Sequence, residues 1–190
     1  MIGLRKLMRI VEKSQLMSAS EIDRTIQRLA HEIVEKSGGT KHLALIGVRR
    51  RGVPLAQRIA KAMRGIDGVE VPVGTLDITL YRDDLSKVAS HAVLQSSDIS
   101  FGVDNMDLVL VDDVLYTGRT IRAAMNGLFD LGRPKRVSLC VLIDRGHREM
   151  PIEAQYVGRG VQTSDTEIVE VRLREIDSEE RVVLVDRLEP

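Results

Sequence analysis

Apolar residues along this chain change rhythm several times, and each change marks a boundary. At Ser18-Ala-Ser-Glu21 a serine stands three residues before a glutamate, the arrangement in which hydroxyl and carboxylate cap a helix start. Ile22, Ile26, Leu29 and Ile33 then keep the three-to-four spacing of one helical face, and Gly38-Gly39 stops it. "HLALIGV" follows, a short continuous apolar run that suits a strand covered on both faces. After "RRRG" the helical rhythm returns through Val53, Leu55, Ile59 and Met63 and ends at Gly65.

"VEVPVGTLDITLYRDDL" reads as extended, with Leu76, Ile78 and Leu80 alternating, and periodicity is then lost from about Ser86 to Asp107. A stretch of that length without structure is usually functional or mobile. Leu108 to Val111 forms a second doubly buried strand, followed by a helix over Arg119 to Leu131 that Gly132 and Pro134 end. "RVSLCVLI" is a third such strand and runs into the polar "DRGHRE". Near the end, Val169, Val171 and Leu173 alternate with charged residues and "RVVLV" offers a partner, a small antiparallel addition.

Apolar strands alternating with helices predict an α/β fold, a mostly parallel sheet with helices on both faces. Residues 1–17 read as an N-terminal extension and residues 18–190 as a single domain. Ligands of such sheets bind beyond the carboxyl ends of the strands. Three polar clusters fall at strand ends: "RRRG" (49–52), "DDVLYTGRT" (112–120) and "DRGHR" (144–148).

Composition narrows the rest. Twenty-eight basic residues balance 28 acidic ones, so a nucleic-acid role would need a local patch rather than a whole-chain field. Two Phe, three Tyr and no Trp make the core aliphatic and leave few stacking platforms. Cys140 lacks an internal partner and sits in an apolar run as a buried thiol. No apolar stretch approaches a membrane span, and the charged first residues do not form a secretory leader, so a cytoplasmic protein is expected.

The chemistry concentrates at 112–120. A glycine-centred loop that opens a helix aims amide groups at one point, and the helix dipole favours an anion there. Thr117 and Thr120 add hydroxyl donors beside Gly118. Asp112 and Asp113 would repel a phosphate in the same pocket. A sugar's length away they suit the two donors of a ribose cis-diol. A phosphate cradle and a diol site so close together describe a ribose 5-phosphate. Arg50 and Arg51 can meet a second anion, and Arg82 lies where a mobile flap would close over a reactive sugar. His31 and His147 stand singly, and no group of residues has metal-ligand spacing.

"LVLVDDVLYTGRTIRAAM" resembles the phosphoribosyl pyrophosphate (PRPP) signature of type I phosphoribosyltransferases. With "DITLYRDDLS", "LGRPKRV" and "LIDRGHRE" added, the chain from about Leu16 to Leu173 resembles the PyrR family, pyrimidine-operon attenuators that are also uracil phosphoribosyltransferases. The resemblance implies uracil + PRPP → UMP + pyrophosphate, with Mg²⁺ carried in by PRPP, and uridine-nucleotide-dependent binding to a pyr mRNA leader. It implies that Asp112 and Asp113 hold the ribose hydroxyls and that the loop Val114, Leu115, Tyr116, Thr117, Gly118, Arg119 and Thr120 binds PRPP. Arg50 and Arg51 would meet pyrophosphate, with Arg82 closing over it. The base would sit at Leu142, Ile143, Asp144 and Arg145, near Val161. An RNA patch would combine Arg24, Arg28 and His31 with Arg145, Arg148 and Arg159. Family members form dimers and higher homo-oligomers.

The chain departs from the family where Arg50 replaces a usual threonine, and at Glu153, Gln155, Gly160 and Gln162 near the base pocket and RNA face. Two other readings stay open: a phosphoribosyltransferase for another base, and a nucleotide-gated RNA-binding regulator with vestigial catalysis.

Overall fold

A computed structural model describes residues 9–79 and 97–188. Its centre is a five-stranded sheet built from β2 (Leu43–Val48), β3 (Val73–Leu76), β4 (Asp107–Leu115), β5 (Arg136–Asp144) and β6 (Tyr156–Gly160), in the order β3-β2-β4-β5-β6. Every neighbouring pair is parallel. Helices α1 (Ala19–Ser37), α2 (Gly52–Asp67) and α3 (Arg119–Leu131) cover its faces.

Strand periodicity divides the core in two. Leu43 and Leu45, Val109 and Val111, and Cys140 and Leu142 turn toward the apolar faces of α1 and α2. The intervening Ala44 and Ile46, Leu108 and Leu110, and Leu139 and Val141 turn toward Ile121, Ala124 and Leu128 of α3. The continuous apolar runs in the sequence follow from this double burial.

Helix boundaries track local chemistry. The Glu21 carboxylate accepts hydrogen bonds from the Ser18 amide and hydroxyl, each at 2.8 Å, and Gly38 ends α1 in the left-handed region at φ 63°. Helix α2 runs past Gly65, the expected stop, because Gly68 supplies the left-handed cap at φ 70°. Strand β4 continues through Asp112 and Asp113 to Leu115, four residues beyond the apolar run, since Val114 and Leu115 still pair with Ile143 and Asp144.

A second sheet, β1-β8-β7, is antiparallel and made of β1 (Arg9–Ser18), β7 (Glu167–Arg172) and β8 (Arg181–Leu188). The segment read as an N-terminal extension therefore forms an edge strand from Arg9, and Met17 is wholly buried. Its partner β8 lies some 170 residues away in sequence, so no local pattern announces the pairing. Strand β6 was not expected either. Between β7 and β8, the single turn α4 (Arg174–Asp177) rests on α2 through Arg58, which pairs with Glu175 at 2.7 Å and also binds Glu180.

Residues 80–96, which include the first half of the long aperiodic segment, lie outside the described residues. Its far end returns to the sheet edge, where Thr75 and Asp98 exchange backbone hydrogen bonds of 2.7 and 2.9 Å.

Candidate active site

Parallel strands place their carboxyl ends on one edge, and the three polar clusters meet there. Gly52, the first residue of α2, packs against β4 so closely that a Cβ would stand 2.2 Å from the Val111 carbonyl oxygen. This approach seats the 49–52 loop directly beside Asp112 and Asp113. The Arg49–Arg50 peptide bond is cis. Arg50 is exposed and lines a cleft with Arg49, Val53, Glu175 and Ile176. Arg51 is held by a partner that sequence spacing does not reveal. Its Nε and Nη2 donate to the two carboxylate oxygens of Asp177 at 3.1 and 2.7 Å, a bidentate fork.

Asp112 is buried, with 6% of its surface exposed, and Asp113 is half-buried. Asp112 Oδ1 accepts from the Asp113 amide and Asp113 Oδ1 from the Val114 amide, both at 3.0 Å. Burial pushes the Asp112 carboxyl well above the usual carboxylate range, and the neighbouring Asp113 charge pushes it further. Burial also raises Asp113, against a partial opposing pull from Arg51. Ionising both carboxyls is therefore resisted until a ligand supplies donors or positive charge.

At the end of β4, Val114 is partly buried and Leu115 is buried in the core, and Tyr116, just beyond the strand, is exposed. Gly118 caps α3 in the left-handed conformation at φ 89°, with Met150 and Ile152 packed beside it, so a side chain here would be strained and crowded. Thr117 Oγ1 accepts from the Arg119 amide at 3.4 Å, and exposed Thr120 sits in the first helical turn. The first-turn amides of any helix lack intrahelical acceptors and present an anion site. Arg119 Nε pairs with Glu149 at 2.6 Å.

The 144–150 loop is tied to this cradle. Thr117 O accepts from the amides of Glu149 and Met150, at 2.9 and 3.0 Å. Arg148 bonds Tyr116 O, Gly146 O, Ile152 O and the Asp144 carboxylate. Arg145 is buried: it donates to Thr163 Oγ1 and Ser164 O, and its guanidinium lies 4.0 Å from the Tyr116 ring centre. His147 Nε2 lies 2.7 Å from Thr163 O. Val161 joins the strand end by donating to Asp144 O at 2.8 Å. Leu142 and Ile143 are buried in the core, so the accessible part of the expected base site is Asp144, Val161 and the residues around them.

Not every nominated residue is brought together. Arg24, Arg28 and His31 lie exposed on α1. Arg28 donates to Val157 O and Gly158 O of β6, and Arg159 of β6 bonds Leu16 O and Glu21, which brings Arg28 and Arg159 to one sheet edge, whereas His31 lines the groove between α1 and α2. Arg145 and Arg148 instead have their guanidiniums engaged inside the base loop. Arg82 and most of the flap lie outside the described residues. Sequence reading missed Asp177, Thr163, Ser164 and Glu167. Glu167 accepts from Lys13 Nζ at 2.6 Å and from the Ser164 amide at 2.7 Å, which pins the segment under Arg145. Asp177 stands 126 positions from Arg51, a separation that no spacing motif spans.

Among the described residues no group of three or more His, Cys, Asp or Glu could hold a metal, and no helix is long and apolar enough to cross a membrane. Two adjacent carboxylates do fit a Mg²⁺ ion that arrives with a phosphorylated substrate. That ion commonly takes one or two protein carboxylates and completes its oxygen shell from phosphates and water.

Comparison with known proteins bears on the family and the fold. A family model described as "Phosphoribosyl transferase domain" matches residues 13–176. "Bifunctional protein PyrR" of Pelotomaculum thermopropionicum is 56% identical over 178 residues, covering 94% of this chain and 98% of the relative. The protein of the same name from Thermus thermophilus is 54% identical over 175 residues, covering 92% and 97%. That of Clostridioides difficile is 51% identical over 175 residues, covering 92% and 99%. Among solved structures, a hypoxanthine-guanine phosphoribosyltransferase from Bacillus anthracis superposes with a TM-score of 0.68 at 18% identity, covering 93% of this chain and 99% of that one. The hypoxanthine phosphoribosyltransferase of Trypanosoma cruzi gives 0.69 at 21%, covering 94% and 98%. At such identities these structures speak for the fold.

Proposed function

The chain belongs to the phosphoribosyltransferase family and, within it, to the PyrR group, and from that premise we propose that it transfers the phosphoribosyl group of PRPP to uracil and binds a pyr mRNA leader when a uridine nucleotide is present. The observation that carries the transfer reading is the meeting, at one sheet edge, of the Asp112–Asp113 pair, the α3 amino-terminal cradle and the Arg51 loop.

In this reading the cradle of Thr117, Gly118, Arg119 and Thr120 holds the 5-phosphate, and Val114, Leu115 and Tyr116 lead from it to the diol. The ribose hydroxyls donate to Asp112 and Asp113. Arg50 and Arg51 attract the pyrophosphate, and Arg82 closes over it. Uracil lies against Asp144, Arg145 and Val161. Its N1 bonds to C1′ and releases a proton, while pyrophosphate departs with the electrons of the C1′–O bond. Developing positive charge on the sugar faces two carboxylates, and developing negative charge on the leaving group faces guanidiniums. Mg²⁺, arriving with PRPP, supplies further charge neutralisation for the pyrophosphate. Fixed geometry accounts for the rest of the acceleration, so no covalent nucleophile is needed.

For RNA, Arg28 and Arg159 on the α1–β6 edge, with the exposed Arg24 and His31 elsewhere on α1, supply phosphate contacts, and Arg145 and Arg148 shape the loop next to β6. Single-stranded loop bases and phosphates are the suitable targets for such a surface. A cytoplasmic homo-oligomer completes the proposal. Turnover assayed with uracil, hypoxanthine and orotate tests the enzyme. Gel-shift titration of leader RNA with and without UMP tests the regulator; turnover with no shift under either condition would refute the RNA half alone.

A further inference from the structure

Resting on the phosphoribosyl-transfer reading, we infer that Asp177 is a positioning residue, holding the Arg51 guanidinium at the pyrophosphate end of the site. The fork of 3.1 and 2.7 Å uses two of the five N–H donors of arginine and fixes the plane of the group. Asp177 is itself held. Its Oδ2 accepts the Leu173 amide at 2.9 Å, and the amides of Ile176 and Asp177 both bond Leu173 O. Leu173 is wholly buried, so this turn is anchored to the core behind it.

A plain structural pair would have the task of fastening α4 to α2. That task is already performed by Arg58, which binds Glu175 through two nitrogens and also reaches the nearly inaccessible Glu180. Asp177 instead engages the residue that caps α2 at the end of the 49–52 loop, next to Asp113. Arg51 thus stands between two carboxylates. Without Asp177 its strongest remaining attraction is Asp113, ahead of Glu170, and movement toward Asp113 would remove a pyrophosphate donor and occupy a diol acceptor together. The antiparallel sheet then has a part in catalysis: β7 and β8 deliver, through α4, the carboxylate that keeps Arg51 away from Asp113 and available to the leaving group.

The test uses Asp177→Asn, which keeps the size and an acceptor for the Leu173 amide but removes the charge. Expected are a rise of roughly tenfold in the KM for PRPP and a matching weakening of pyrophosphate product inhibition. The KM for uracil stays unchanged, and Asp177→Glu restores part of the loss. Glu180→Gln, which weakens the Arg58 clamp but leaves the Asp177–Arg51 fork and its Leu173 anchor in place, should lower the melting temperature and leave the PRPP KM alone. Arg51→Lys combined with Asp177→Asn should cost little more than Arg51→Lys, since both act through one guanidinium. Absence of turnover by the wild-type protein would sink the underlying reading. Wild-type turnover with unaltered PRPP KM and pyrophosphate inhibition in Asp177→Asn would overturn this inference. So would losses that merely track melting temperature as those of Glu180→Gln do.

Discussion

Adding one methyl group at Gly52 should open the site. The backbone there is not in the left-handed region, so the objection to a side chain is space alone. A Cβ at this position would meet Val111 O at 2.2 Å, Val111 C at 3.1 Å and Asp112 Cα at 3.3 Å, all backbone atoms that cannot rotate away. Ordinary contact begins near 3.4 Å, so α2 and β4 must part by about 1.2 Å. Overpacking of this kind costs about 1–3 kcal/mol, a fall of roughly 2–12 °C in melting temperature for a chain of this size. The same displacement separates Arg51 from the Asp112–Asp113 pair, and a misplacement near 1 Å is worth about 100-fold in rate. Gly65→Ala is the internal control. It lies in the same helix, exposed and with no atom within 4 Å of its Cβ position, so it should stabilise by about 0.5–1 kcal/mol and leave turnover intact. Thermal melts and steady-state kinetics on both variants decide the matter. Wild-type stability and turnover in Gly52→Ala would refute the claim that this close approach assembles the site.

Burial raises both carboxyls of the Asp112–Asp113 pair, so ionising both is resisted until a diol supplies donors, and diol binding should favour proton release. PRPP affinity should therefore strengthen as pH rises through the pair's titration, and calorimetry in buffers of different ionisation enthalpy should register proton release. Equal heats after buffer correction would contradict it. The same raised carboxyl destabilises the folded chain once ionised, a penalty absent at acid pH and complete above the folded value. Asp112→Asn should accordingly melt higher than wild type at neutral pH, by roughly 2–4 °C per kcal/mol recovered, with the difference fading toward pH 4. Glu167 behaves oppositely: hydrogen bonds from Lys13 and the Ser164 amide hold its carboxyl down to about 2. Its contribution is present above the ordinary value of 4.5 and is lost as pH falls toward 2, a step that acid melts of Glu167→Gln should lack. Arg24→Ala should lower the slope of log affinity against log salt for leader RNA by about one, without altering turnover.

The parts of the fold that sequence revealed are those whose cause is local. Strands β2, β4 and β5 are buried on both faces and show it as unbroken apolar runs, and α1 carries its own capping glutamate. Strand β6 escaped because "YVGRG" is short and glycine-bearing; Gly158 is required where a Cβ would strike Leu142 O at 2.3 Å, a fact about a neighbour, not about the segment. Strand β1 looked like an extension because its register is written in β8. At the site, the acidic pair and the glycine cradle were legible since one strand–loop–helix unit carries both. The fork from Asp177 to Arg51, and the anchoring of Arg145 by Thr163 and Ser164, depend on chain segments that meet only after folding. Arg145 shows the limit of reading charge as surface: it is among the most buried charged residues described, its guanidinium stacked on Tyr116.

The central claim, that these three strand ends form a phosphoribosyl-transfer site for uracil, is tested most directly by following UMP formation from PRPP, Mg²⁺ and uracil. Hypoxanthine and orotate run in parallel, with Asp113→Asn as the blank. Turnover is expected with uracil, little with the other two bases, and a loss of roughly 100-fold or more in the variant. Turnover with no base, or undiminished turnover in Asp113→Asn, would contradict it.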